Sequence, residues 1–246
     1  MTILLYILLG FAPSIIWLLF YLRKDAHPES NSMVIKTFIL GMLLAPLAII
    51  GEVTFEGIIN ILPIFFLNST EAKFILKSFL IQALNPGIVE ESLKFLAVKF
   101  ESLKSPEFDE PTDIIIYFII VGLGFAAVEN LFSVFTYYPV LEEALRHMIF
   151  RFLGATFLHA VATGMIGYWL ARAILKGKNK FKITGFGLLI AIFFHTCYNA
   201  LIVLNGFGNF ALISVSAISL LLISGATILS YQFKKLNKQK SICNTN

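Results

Sequence analysis

The constraint that dominates this sequence is a series of mostly apolar segments, each about 20 residues long, with charged residues gathered between them. In hydrocarbon such a segment has no water to satisfy its peptide groups, so it must satisfy them internally, as a helix does. We expect seven spans, at about Ile3–Leu22, Val34–Phe55, Phe74–Val98, Ile114–Tyr137, Ile149–Ala171, Ile183–Leu204 and Phe210–Phe233. The stretch from Val53 to Ala72 mixes polar and apolar residues and can lie in the membrane interface, so the count is about seven. Composition agrees: charged residues make up 14% of the chain and apolar residues 58%, whereas a soluble domain carries about 25% charged residues. Twenty-five phenylalanines exceed what a soluble core of this length can bury. The expected fold is all-α, a polytopic transmembrane helical bundle in the cytoplasmic membrane. Lipid surrounds it and nucleic acid is not a partner, because the basic residues mark loops rather than form a patch.

Those basic residues set an expected orientation. Arg23, Lys24, Lys36, Lys99, Lys104, Arg172, Lys176, Lys178, Lys180, Lys182, Lys234, Lys235, Lys238 and Lys240 fall on one side of the seven-span topology, 14 of the 19 basic residues. Lys73, Lys77, Arg146 and Arg151 fall on the other, and Lys94 is within a span. The positive-inside rule then places the N-terminus out and the C-terminus in. Arg23 and Lys24 follow the first span instead of preceding it, so that span reads as an uncleaved anchor. Cys197 lies in a span and Cys243 in the polar tail, so no disulfide is expected, and Asn-Thr-Asn after Cys243 lacks a prenylation pattern. The 100–113 link is too short for a soluble domain, and no internal repeat is visible.

Four of the spans carry polar clusters: Glu90-Glu91-x-x-Lys94, Phe125-x-x-x-Glu129-Asn130, His159-x-x-x-x-Gly164 and His195-x-x-x-Asn199. An ionisable group at the centre of a span costs about 2.5–3.5 kcal/mol on insertion scales. Helical spacing puts Glu90 with Lys94, His159 with Thr163 and His195 with Asn199 on shared faces, and sets Glu91 about 100° around from Glu90. Pro86-Gly87, one turn before Glu90, marks a break of the kind tolerated where backbone lines a cavity. Glu129, His159 and His195 lie toward the outer ends of their spans and Glu90 near the middle, which puts the cluster close to the midplane or just outside it.

Each cluster alone has a plain explanation. Glu90 with Lys94 can be an ion pair that pins a span, Glu129 with Asn130 an interhelical clasp, and either histidine a satisfied bundle residue. Glu52 and Glu56 read as interfacial, and Glu142, Glu143, Arg146 and His147 as a short solvated outer loop. A structural account of the clusters must, however, explain four costly sites at compatible depth. Peptide hydrolysis explains them together, since it needs a base for water, donors for the oxyanion and an acid for the leaving amine. A desolvated glutamate suits the first role, and His195 with Asn199 the second. Two histidines and a carboxylate also match a catalytic zinc with an open position, held by members of Glu90, Glu129, His159 and His195. The glutamate route needs no cofactor; the residues alone leave both routes open. His-Glu-x-x-His, Gly-x-Ser-x-Gly and Gly-x-Gly-Asp are absent.

These motifs, in this order, resemble the PrsW family of intramembrane proteases, itself similar to the CAAX prenyl-protease and Abi superfamily. Further stretches match: Phe11-Ala12-Pro13 leading to Tyr21-Leu22-Arg23-Lys24-Asp25, and Phe108-Asp109-Glu110-Pro111-Thr112-Asp113 ahead of Gly122-Leu123-Gly124-Phe125. Arg151 stands upstream of His159-Ala160-Val161-Ala162-Thr163-Gly164, and His195-Thr196-Cys197-Tyr198-Asn199 completes the set. The resemblance runs from about Phe11 to Leu204; the last span and tail carry no motif. It implies one integral-membrane protease domain over residues 1–246, with a motif-bearing core at about 74–204. It further implies the first (site-1) cut of a membrane-anchored anti-sigma factor, a single-span protein, near the extracytoplasmic face. Carried over residue by residue, Glu90 and Glu91 form the water-activating motif, with Lys94 keeping a carboxylate charged and oriented. Glu129 takes the second catalytic position beside Asn130, His195 and Asn199 bind the oxyanion, and His159 supplies an imidazole where the wider superfamily carries one in place of Glu129. Two rivals from other classes are an ion-coupled transporter using the same residues as a relay, which predicts gradient-driven flux, and a silent scaffold indifferent to Glu90→Gln.

Overall fold

The computed structural model describes residues 2–24, 29–61, 69–101, 110–177, 179–206 and 211–238. Asp25, Lys104, Phe108, Asp109, Lys178, Lys240 and Cys243 lie outside the described residues, as does the 62–68 part of the expected interfacial stretch. Among the described residues the regular structure is entirely helical: α1 (Thr2–Leu22), α2 (Asn31–Ile61), α3 (Thr70–Ser78), α4 (Asn85–Phe100), α5 (Pro111–Phe135), α6 (Leu141–Leu153), α7 (Ala155–Lys176), α8 (Lys180–Asn205) and α9 (Ala211–Leu236). Six segments among the described residues, α1, α2, α5, α6 with α7, α8 and α9, are long and apolar enough to cross a membrane, so the chain is a multi-pass membrane protein, as expected.

α5 is the axis of the bundle. Every residue from Pro111 to Ala127 is buried, so the run Ile114–Ile120 faces protein all round, as an apolar helix must when it has no lipid-facing side. α1, α2 and α7 make the largest contacts with it. A Cβ on Gly124 would collide with the Phe38 carbonyl oxygen, so that glycine sets the close α2–α5 crossing. Outward-facing Leu and Ile side chains, such as Leu43, Ile50, Leu189 and Leu212, stay exposed in the bundle and suit lipid.

Three expected boundaries change. The third span is not one α-helix: Phe79–Leu84 forms a π-helical turn between α3 and α4, and the Asn85 N–H donates to Leu80 O, five residues back. The shift precedes Pro86, which has no N–H to continue the ladder. The expected fifth span begins earlier and is broken. Glu142, Glu143, Arg146 and His147 are helical, on α6, and not a loop. Ala144 and Met148 bury that helix against Tyr6 and Val134, while Arg146 meets Glu142 and Glu143 at 3.8 Å on the exposed side. Gly154 (φ −105°, ψ −96°) ends α6, and the Trp17 indole N–H donates to Phe152 O at 2.9 Å, satisfying a carbonyl freed by the break. Finally, α2 runs to Ile61, past the expected end at Phe55.

The two ends of the bundle are distinct. Tyr6 of α1, Val134 of α5 and Ala144 and Met148 of α6 meet at one end. At the other, Lys36 pairs with Glu101 at 2.7 Å, Tyr21 stacks on Phe233, and Arg172 and Lys176 approach Lys235 around one hollow.

Candidate active site

α4 supplies Glu90, Glu91 and Lys94, all buried. The Lys94 side chain is fully buried, with Nζ 4.1 Å from the centroid of the Phe125 ring. Its ammonium has three protons and no lone pair. They go to Glu90 Oε2 at 3.1 Å, Glu91 Oε1 at 3.0 Å and His159 Nδ1 at 2.8 Å. Both carboxylates, expected 100° apart on the helix, are therefore gathered by one cation. Two buried carboxylates without it would carry an uncompensated charge worth several kcal/mol, about 3–5.

Lys94 also fixes the tautomer of His159. Because Nζ can only donate, His159 Nδ1 accepts, and its proton sits on Nε2. That Nε2–H donates to Glu129 Oε2 at 2.7 Å. Arg151 then closes the chain, donating from Nη2 to Glu129 Oε2 at 3.2 Å and from Nε to Asn130 Oδ1 at 2.6 Å. Asn130 in turn donates from Nδ2 to Thr156 Oγ1 at 3.0 Å. Gly122 lets α7 approach α5 at this level; a Cβ there would lie 2.8 Å from His159 O.

His195 enters from α8. Its Nδ1–H donates to Glu91 Oε1 at 2.9 Å, since the carboxylate oxygen can only accept. The other nitrogen, Nε2, lies 4.0 Å from Glu90 Oε2. The two imidazoles meet edge to face, with centroids 5.2 Å apart. Gly87 makes this possible. A Cβ there would lie 3.2 Å from Ile192 O and 2.5 Å from Thr196 Oγ1, so only glycine lets α4 seat against α8 with Glu91 opposite His195.

The group opens into a cavity of about 380 Å³ whose walls include Glu52, Glu90, Glu129, His159, His195 and Asn199. Asn199 stands one turn beyond His195, as its spacing implied. A second hollow of about 320 Å³ between α2 and α5 shares Glu52, Glu129 and Arg151 with it. Five of the six candidate catalytic residues, Glu90, Glu129, His159, His195 and Asn199, thus line one space; Glu91 and Lys94 are fully buried behind it, bonded to His195 and Glu90, while Asn130 sits behind Glu129 in the Arg151–Thr156 network. Glu52 adds to what the sequence indicated. It lines the cavity, on a helix that continues six residues past the expected end, and its own backbone oxygen accepts from Asn85 Nδ2 at 2.9 Å. The expense of a carboxylate inside a span was the signal that could have placed it there. Thr156 and Tyr198, which also join the site, carried no such signal.

A metal needs several donors converging at about 2.0–2.2 Å. The four whose donor atoms lie within 4.8 Å of one another are Glu90, Glu91, His159 and His195, with Glu91 where the sequence suggested Glu129. Their types suit zinc. Their arrangement does not, because the Lys94 ammonium is at hydrogen-bond distance from three of the four. Both ring nitrogens of His159 are committed as well.

Comparison with known proteins gives a consistent result. The model of a family described as PrsW family intramembrane metalloprotease matches residues 29–224. The chain is 28% identical to Protease PrsW of Oceanobacillus iheyensis over 235 residues, covering 95% of this chain and 96% of that protein. Against Protease PrsW of Bacillus subtilis it is 27% identical over 194 residues, 77% of this chain and 79% of that protein. Against that of Clostridioides difficile it is 28% identical over 201 residues, 80% and 79%. No solved structure matches.

Proposed function

The chain belongs to the PrsW family of intramembrane proteases, and from that premise we propose that this peptidase hydrolyses its membrane-protein substrate with Glu90 as the base for water. The observation that carries the proposal is Glu90 itself: a buried carboxylate in the cavity wall, held by Lys94 at 3.1 Å and facing His195. Water beside Glu90 loses a proton to it as the hydroxide adds to the scissile carbonyl. Glu91 acts through His195: it accepts from Nδ1–H and orients the ring, whose imidazolium form donates Nε2–H to the oxyanion together with the Asn199 amide. Glu90 returns its proton to the leaving amine. Glu129 and Arg151 fix His159, and through it Lys94, so that both carboxylates of α4 keep their orientation. A metal, which the family's description implies, enters none of these steps.

Topology supports a site of cutting. The end bearing Lys24, Lys36, Arg172, Lys176, Lys234 and Lys235 suits the cytoplasm by the positive-inside rule. That puts α6 and the C-terminal end of α5 outside. Glu129 is six residues from that end, a rise of about 9 Å, and His159 is four residues into α7. The cut would then fall near the extracytoplasmic face of a single-span protein, as a first cleavage of an anti-sigma factor requires. The test is reconstitution: purified wild type, Glu90→Gln and His195→Ala in proteoliposomes with single-span substrates carrying an extracytoplasmic tag. Cleavage by the wild type alone, on the tagged side, is expected. Equal cleavage by Glu90→Gln would remove the proposed base, and a cut on the other side would invert the topology.

A further inference from the structure

We infer that the ammonium of Lys94 is the resident cation of this site, standing where its donor set would otherwise hold a divalent metal, and that removing it turns the site into a zinc-binding one. The inference deepens the reading of the same site, but its test reads metal rather than proteolysis, so either can fail alone.

The geometry carries it. Four donors of the types zinc prefers, two carboxylates and two imidazoles, have ligand atoms within 4.8 Å of one another. A tetrahedral zinc with bonds of about 2.0–2.2 Å needs its ligand atoms about 3.3–3.6 Å apart. Lys94 Nζ meets three of the four at 2.8–3.1 Å, spends all its protons on them and is fully buried. An ammonium and a metal cannot share that centre, since the same lone pairs would serve both and the cations would repel.

The surroundings of His159 point the same way. A ligand histidine almost always donates its remote N–H to a carboxylate, a backbone carbonyl or a water, which fixes the ring and directs the other nitrogen at the metal. His159 does this: Nε2–H is on Glu129 at 2.7 Å, and the Nδ1 lone pair is directed at Lys94. The outer support of a metal-binding histidine is present, with a lysine in the metal's place. Lys94 is a positioning residue by this account, supplying one positive charge and three fixed hydrogen bonds.

The experiment uses the purified full-length protein in detergent micelles. Wild type, Lys94→Ala and the volume-preserving Lys94→Met are each incubated with zinc or cobalt, passed over a desalting column, and analysed by plasma mass spectrometry and visible absorption. Wild type is expected to retain less than about a tenth of an equivalent, and a lysine variant about one equivalent. The variant should show tetrahedral cobalt bands that vanish when His159→Ala is added. Stoichiometric, chelator-removable metal in the wild type would overturn the inference. So would folded lysine variants that bind none, because the donors would then not form a latent metal site.

Discussion

Glu91 allows a charge to be separated from the hydrogen bonds it makes. Its Oε1 accepts from Lys94 Nζ at 3.0 Å and from His195 Nδ1 at 2.9 Å, while Oε2 is buried with no protein partner among the described residues. Glu91→Gln can therefore keep both bonds through its carbonyl oxygen and place its amide nitrogen where Oε2 stands. The bond from His195 falls from the range of a charge-assisted one, about 1.5–3 kcal/mol, to about 0.5–1.5 kcal/mol, while the bond from Lys94 stays charge-assisted through its ammonium but loses the opposite charge. Part of that loss is recovered because a buried carboxylate no longer needs compensation. The net cost is about 1–2 kcal/mol, a fall in Tm of about 2–8 °C for a chain of this size. Glu91→Ala strips both bonds and leaves the buried ammonium short of a partner, at about 3–5 kcal/mol. Activity should separate from stability. The analogous loss of the orienting carboxylate in a serine-protease triad costs about 10⁴-fold; here Glu90 remains 4.0 Å from His195, so the fall in kcat/KM for Glu91→Gln should be smaller, about 10²–10³-fold. Thermal unfolding in micelles and cleavage in proteoliposomes measure the two. Glu91→Gln cleaving at the wild-type rate would refute the role assigned to the Glu91–His195 pair, and Glu91→Ala unfolding with the wild type would refute its role in holding Lys94.

Three further outcomes follow from particular contacts. Arg151→Met removes the bonds to Glu129 and Asn130; because Arg151 is partly exposed, the stability loss should be about 1–2 kcal/mol, and Arg151→Lys should restore cleavage only in part, since an ammonium cannot span both partners as the guanidinium does. Gly87→Leu wedges α4 from α8 and should cost about 1–3 kcal/mol and abolish cleavage, whereas Gly57→Ala, with nothing within 4 Å of its Cβ, should leave cleavage unchanged in the same assay. Trp17→Phe should lower stability by about 1 kcal/mol in chemical unfolding through loss of the bond to Phe152 O, with cleavage retained.

What was legible in the sequence was what the bilayer makes expensive. Charged and polar groups within apolar runs stood out: Glu90, Glu129, His159, His195 and Asn199 line one cavity, and Glu91 and Lys94 are bonded directly behind it. Periodicity also gave the paired faces of Glu90 with Lys94 and His195 with Asn199. Glu91, three residues before Lys94, is also within helical reach; spacing could not show that Lys94 would gather His159 too, because that residue comes from another helix. Helix ends were read less well for a physical reason. Hydropathy falls where amphipathic α6 begins, so Glu142–His147 read as a loop, although Ala144 and Met148 have a buried surface waiting against Tyr6. The same fall at Val53 hid the end of α2 at Ile61, so that Glu52 read as lying at a span end although it lines the cavity.

The central claim is that Glu90 performs peptide hydrolysis within the membrane. Its most direct test compares the N-termini of membrane proteins, by mass spectrometry, in cells producing wild type or Glu90→Gln at equal abundance. The account predicts at least one new N-terminus, just outside the span of a single-span protein, present with the wild type and absent with the variant. The same set of N-termini in both cells, under envelope stress as well as in its absence, would contradict it.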